Sequence, residues 1–149
     1  MNDPLSARQR WMAILARSSA THIRSFLMQR GTFPSHTILR GPENGLVMVR
    51  GRAGGGGAAF NLGEMTVTRC TVRTDTGFVG HAYIAGRDGE CAELAALVDA
   101  LMQDPDRHEE FEAGMIAPLE VLQTRRKAER AAKAAATRVQ FFAMQTMRT

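Results

Sequence analysis

Apolar positions along the chain change period several times, and each change marks an element. Trp11, Ile14 and Leu15 recur at helical spacing behind Asp3-Pro4, a cap followed by proline at the first helical position. Ser18-Ser19-Ala20-Thr21 interrupts that pattern and offers a new cap, after which Ile23, Phe26 and Leu27 form a second apolar face ending at Gly31. Two short helices are predicted, over residues 4–17 and 20–30, with a single bent helix as the alternative. The period then drops to that of a strand. His36–Arg40 reads as a short strand, Gly41-Pro42-Glu43-Asn44-Gly45 as a turn, and Leu46-Val47-Met48-Val49-Arg50 as a second strand.

After a glycine loop, residues 64–74 and 78–85 read as a hairpin closed by Asp75-Thr76-Gly77, with Gly77 in the left-handed region. This closure predicts a register: Thr71 faces His81 and Arg69 faces Tyr83. Side chains alternate along a strand, so Cys70, Val72, Phe78, Gly80, Ala82 and Ile84 share a core face. Arg69, Thr71, Arg73, His81 and Tyr83 share the other, which puts Cys70 and His81 on opposite faces and rules against a Cys–His nucleophilic pair.

Helical spacing returns at Cys91, Leu94, Ala95, Val98, Leu101 and Met102, with Asp88 as cap and Asp104-Pro105-Asp106 ending this helix and capping the next. Residues 106–123 continue as a helix that Pro118 kinks or restarts. Ala128–Ala136 is helical by propensity. Thr137–Met144 reads either as more helix or as a strand added to the sheet, the strand being preferred. Helices, then strands, then helices give an α+β class: an antiparallel sheet of three to five strands flanked by N-terminal and C-terminal helices.

At 149 residues and 44% hydrophobic, the chain suits one domain over 1–149. It carries no basic leader before an apolar run and no stretch of about 18 apolar residues, so a cytoplasmic protein is expected. Cys70 and Cys91 lack metal-ligand spacing and are read as buried thiols. The four histidines fall in no metal-binding pattern, so no metal site is expected.

Net charge is +4, and its distribution matters more than its total. From Thr124 to Arg138, Arg125, Arg126, Lys127, Arg130, Lys133 and Arg138 stand against Glu129 alone. Without interleaved aromatics or a recognition motif, this run is read as a solvated or partner-facing face, not a nucleic-acid site.

The densest candidate chemistry is the loop Arg50-Gly51-Arg52-Ala53-Gly54-Gly55-Gly56-Gly57 and the strand that leaves it. Four glycines cost backbone entropy and are kept where a side chain would obstruct. The loop has no Gly-Lys-Ser/Thr ending and precedes a strand, not a helix, which disfavours a nucleotide-binding fingerprint. Free N–H groups beside Arg50, Arg52 and Arg69 remain suited to an anion, and partner ordering of the loop is the competing reading. Arg50, Arg52, Gly54, Gly55, Gly56, Gly57, Asn61, Glu64 and Arg69 are therefore the candidate substrate- or partner-binding residues, with Glu64 placed to orient Arg50 or Arg52. No self-sufficient catalytic constellation is present, and a stand-alone anion- or nucleotide-binding protein stays open.

Several segments resemble the PhnG family of the bacterial carbon–phosphorus lyase system: Arg8-Gln9-Arg10-Trp11-Met12-Ala13, Gly45–Arg52, Phe60-Asn61-Leu62-Gly63-Glu64-Met65-Thr66-Val67-Thr68-Arg69-Cys70, Gly86-Arg87-Asp88 and Ala135–Phe142. The resemblance implies an accessory subunit working with PhnI, PhnH and PhnJ. Their complex uses ATP and a phosphonate, joining the phosphonate to ribose C1 with loss of adenine. It assigns no catalytic residue to this chain. The iron–sulfur chemistry belongs to PhnJ, so no cofactor is expected here.

Overall fold

The computed structural model describes residues 4–30, 34–54 and 56–139. Helices α1 (Pro4–Ala16) and α2 (Ala20–Met28) are followed by strands β1 (His36–Gly51), β2 (Phe60–Thr74) and β3 (Val79–Ala85). Helix α3 (Gly89–Met102) and α4 (Pro105–Phe111) come next, then a π-helical turn over Glu112–Ile116 and α5 (Ala117–Ala136). The sheet is antiparallel with order β1-β2-β3, and the class is α+β as predicted.

The caps fall where the sequence places them. Ser19 accepts from the His22 amide, Asp88 from Cys91 and Asp104 from Asp106, each satisfying a donor that the first helical turn leaves free. Pro118 sits in the first turn of α5, where its missing N–H costs nothing; the interruption lies one turn earlier, in the π-helical segment.

The β2–β3 hairpin has the predicted register, with Thr71 opposite His81 and Arg69 opposite Tyr83. Thr74 donates its amide to the Phe78 carbonyl at 2.9 Å, and Gly77 has φ +94°. The turn expected at Gly41–Gly45 does not form. β1 runs through it as one strand of 16 residues, and Gly41-Pro42 is absorbed as a bulge between Arg40 (opposite Thr71) and Glu43 (opposite Arg69). The Gly41–Pro42 peptide is cis, and Gly41 has φ +76° with the Arg69 carbonyl where a Cβ would go. Pairing with β2 on both sides of the bulge overrides the local turn signal.

The core lies on one face of the sheet. Cys70, Val72, Ala82 and Ile84 meet Leu94, Leu97, Val98 and Leu101 of α3, and Trp11, Leu15, Ile23, Leu27, Phe111 and Ile116 close it from the other helices. Gly80 is what brings α3 this close, since a Cβ there would overlap the Ala96 carbonyl oxygen. Of the predicted core face, all of Cys70, Val72, Gly80, Ala82 and Ile84 are buried and Phe78 is half-buried. Thr137–Val139 leave the helix, and residues 140–149, where the C-terminal strand was expected, lie outside the described residues.

Candidate functional site

β3 pairs β2 only from Val67 to Arg73, whereas β1 and β2 stay paired out to Gly51 and Phe60. Beyond Gly45 and Val67 the sheet therefore narrows to a two-stranded arm, at about 3.3 Å per residue some 20 Å long. Core-type residues continue along this arm with no core to enter. Leu46 is 63% exposed, Met48 54%, Leu62 60% and Phe60 46%. A bulge between Val49 and Arg50 shifts the pairing near the tip, and Leu62 folds over Gly51, where any Cβ would collide with it.

The glycine loop is the tip of this arm. Gly54 has φ +73°, which favours glycine, and a Cβ on Gly57 would sit 3.0 Å from the Ala53 carbonyl oxygen. Gly56 meets nothing, and Gly55 lies outside the described residues. Arg50 pairs across the arm with Asn61, and Glu64 pairs with Met48, two positions back. The orienting role expected of Glu64 is not taken up: among the described residues neither Arg50 nor Arg52 forms an ion pair. The tip thus carries Arg50 and Arg52 on an exposed, glycine-rich turn.

Arg69 does not join them. It lies nine positions along β2 from Phe60, about 30 Å at the strand repeat. Its Nε donates to Glu43 Oε1 at 2.6 Å, and Arg40 donates to the same oxygen at 2.6 Å. Hydrogen bonds to Tyr83, then to Glu43, raise the Arg69 pKa, and Arg69, then Arg40, hold the Glu43 carboxyl below its ordinary range. With Thr71 Oγ1 and His81 Nδ1 3.0 Å apart, these residues form a wet outer face of the sheet, opposite the helices. The sequence grouped tip and face as one site; the structure separates them.

Neither cysteine is poised as a nucleophile. Burial raises the Cys70 thiol and pushes Cys91 up to about 11, and Cys91 donates to the Ser18 carbonyl at 3.2 Å. Among the described residues no three His, Cys, Asp or Glu side chains are grouped to hold a metal ion.

One cluster escaped the sequence reading. Asp99 is fully buried and accepts four hydrogen bonds: from Arg8 at 3.2 and 2.8 Å, from the Trp11 indole at 2.8 Å, and from the His81 amide at 2.9 Å. These ties join α1, α3 and β3. Arg10, on the other side of α1, donates to Glu112 at 2.9 Å and to Glu120 at 3.0 and 2.5 Å. The signal for Asp99 was its place in the apolar stripe of α3, between Ala95 and Met102 in helical spacing. Its partners, Arg8 and Trp11, belong to one of the segments that carry the family resemblance, so that segment is structural.

The exposed features of the described residues include an apolar arm, a cationic tip and a basic helix. An exposed apolar ribbon of this kind suits a surface that docks a partner. Residues 6–147 match the family described as Phosphonate metabolism protein PhnG. A relative from Rhizobium meliloti (strain 1021), named Alpha-D-ribose 1-methylphosphonate 5-triphosphate synthase subunit PhnG, is 44% identical over 142 residues, covering 94% of this chain and 89% of the relative. The chain belongs to the PhnG family.

Proposed function

We propose that this chain is the PhnG subunit of an α-D-ribose 1-methylphosphonate 5-triphosphate synthase, docking through its β1–β2 arm. The observation that carries the reading is the arm: a two-stranded ribbon is marginal alone in water, and this one exposes Leu46, Met48, Phe60 and Leu62. A partner that buries the ribbon removes both defects. PhnI, PhnH and PhnJ are the proposed partners, with PhnI the first to test. Arg50 and Arg52 then sit at the end of the docked arm, placed to meet the triphosphate or phosphonate of a site completed by the partner. Arg69 braces the sheet instead.

The complex transfers a phosphonate to ribose C1 of ATP and releases adenine; this chain supplies positioning and charge to that reaction. The test is reconstitution. The isolated chain with ATP and methylphosphonate should release no adenine, and adding it to the remaining subunits should restore release. Leu46→Asp with Met48→Asp should abolish co-purification with PhnI while leaving the fold intact. Turnover by the chain alone, or undiminished capture by the double variant, would reject the reading.

A further inference from the structure

A groove runs between α2, the π-helical turn and the first half of α5. Two depressions, of about 380 and about 200 Å³, share His22, Leu119 and Leu122 and so run together. One end is apolar, formed by Phe26, Met115 and Pro118. The other is polar, formed by Arg17, Ser19 and Arg126 at the corner between α1 and α2. Leu119 and Leu122 on the floor are half-buried, whereas Arg17, His22 and Arg126 on the rim are exposed.

The contacts that hold the groove in shape leave its cations out. Gln123 Nε2 donates to the Ile14 carbonyl at 2.9 Å and to Ser18 Oγ at 3.3 Å, which ties α5 to the end of α1. Gly114 lets the Phe26 ring lie against the π-helical turn, since a Cβ there would meet the ring at 2.7 Å. Among the described residues, by contrast, neither Arg17 nor Arg126 forms an ion pair. The same face of α5 stays cationic past the groove. Steps of three and four residues carry it from Leu119 and Leu122 through Arg126 and Arg130 to Lys133, exposed from Arg126 onward.

The chain supplies little counter-charge of its own. Outside the described residues the sequence holds a single acidic side chain, Asp3. Nearby acids are already engaged: Arg10 holds Glu112 and Glu120, and Arg30 holds Glu110. Among the described residues Glu129 pairs with none of the cations of α5.

We infer that the groove and the cationic stripe of α5 receive an acidic segment of a partner protein. The segment seats an aliphatic side chain over Leu119 and Leu122 and lays carboxylates along Arg17, Arg126 and Arg130. The apolar end decides which polyanion fits. A single-stranded nucleic acid needs aromatic faces on which to stack, and the one ring in this groove, Phe26, has Arg30 Cζ 3.7 Å from its centroid and packs edge-on against Phe111. An acidic polypeptide brings both the aliphatic anchor and the carboxylates. A second copy presenting the same face would bring like charge. This surface lies apart from the arm and holds whatever docks there.

The experiment titrates the full chain into a fluorescein-labelled peptide with leucines beside a run of glutamates, read by fluorescence anisotropy. The peptide should bind, and Arg17→Ala, Arg126→Ala and Arg130→Ala combined should weaken it at least about tenfold. Replacing the leucines of the peptide by serines should also weaken binding about tenfold, the effect of losing a buried aliphatic side chain. Arg73→Ala, which removes an exposed arginine on the opposite face of the sheet, should leave binding unchanged. Failure to bind overturns the inference, as does equal binding of the serine peptide, which would reduce the contact to bulk charge. An equal loss in Arg73→Ala overturns it too, and so does tighter binding of a single-stranded oligonucleotide than of the peptide.

Discussion

The Trp11 indole N–H and the Asp99 carboxylate meet at 2.8 Å inside the core, and Asp99 has no solvent exposure. A buried carboxylate is costly unless paired and fully hydrogen-bonded, and here Arg8, Trp11 and the His81 amide together meet that requirement. Loss of Asp99 strands all three donors, so Asp99→Ala is expected to destabilise by about 3–5 kcal/mol. Trp11→Phe keeps the ring and loses one bond, for about 1–3 kcal/mol. Urea unfolding followed by far-UV circular dichroism measures both. Equal costs would mean that the indole bond accounts for the network.

Gly80→Ala tests the closeness of α3 to the sheet. The added Cβ falls on the backbone of Ala96 and Ala100, which cannot swing aside as a side chain can. Overpacking costs of about 1–3 kcal/mol or more are expected, read as a fall in midpoint. Gly45→Ala on the arm, where nothing lies within 4 Å, is the control and should be close to neutral.

Cys91 gives the chain an alkaline limit. Its folded pKa is raised by burial, then by Asp88 and Glu90, from 9.0 to about 11. Below 9 both folded and unfolded chains hold the proton, and the contribution to stability is fully present. As pH rises from 9 towards 11 the unfolded chain releases the proton first, so stability falls, by up to about 3 kcal/mol at 1.36 kcal/mol per pH unit. Cys91→Ala should flatten this decline in denaturation midpoints measured between pH 8 and 11. A decline of equal depth in the variant would assign it elsewhere.

At the acid end the Arg10 clamp acts in the opposite sense. Glu120 is held below its ordinary 4.5 by hydrogen bonds from Arg10, so its contribution is present above that value and lost as pH falls through the lowered folded pKa. Arg10→Met should make the midpoint less sensitive to pH in the acid range below 4.5, and a curve parallel to that of the parent chain would count against the clamp.

Arg50→Ala with Arg52→Ala separates docking from anion contact. These side chains form no ion pair among the described residues, so folding and capture by PhnI should be unchanged. In the reconstituted complex the KM for ATP should rise about tenfold or more, consistent with loss of charge-assisted bonds. An unchanged KM would confine the tip to structure.

Legibility followed how local the deciding physics is. The Asp75-Thr76-Gly77 turn sets the β2–β3 register by itself, so Arg69 opposite Tyr83 was readable from the sequence. The Gly41–Gly45 segment was misread because its outcome depends on Arg69 and Thr71 in another strand, which hold β1 straight through the bulge. Asp99 was hidden for a similar reason: its partners lie 91, 88 and 18 positions away. The glycine loop was visible as a special segment, but its distance from Arg69 follows only from the length of the paired arm. That length depends on β1 being continuous, so one misread turn also merged two sites.

The bare arm bears on how the protein must be made. Leu46, Met48, Phe60 and Leu62 face water until something covers them, while the core built on Asp99 is complete without help. A cell that produces this chain ahead of its partners accumulates a well-folded body with an adhesive ribbon. Losses at that stage would come from clumping of native molecules, not from failure to fold, and timing and stoichiometry of synthesis would govern yield more than intrinsic stability does.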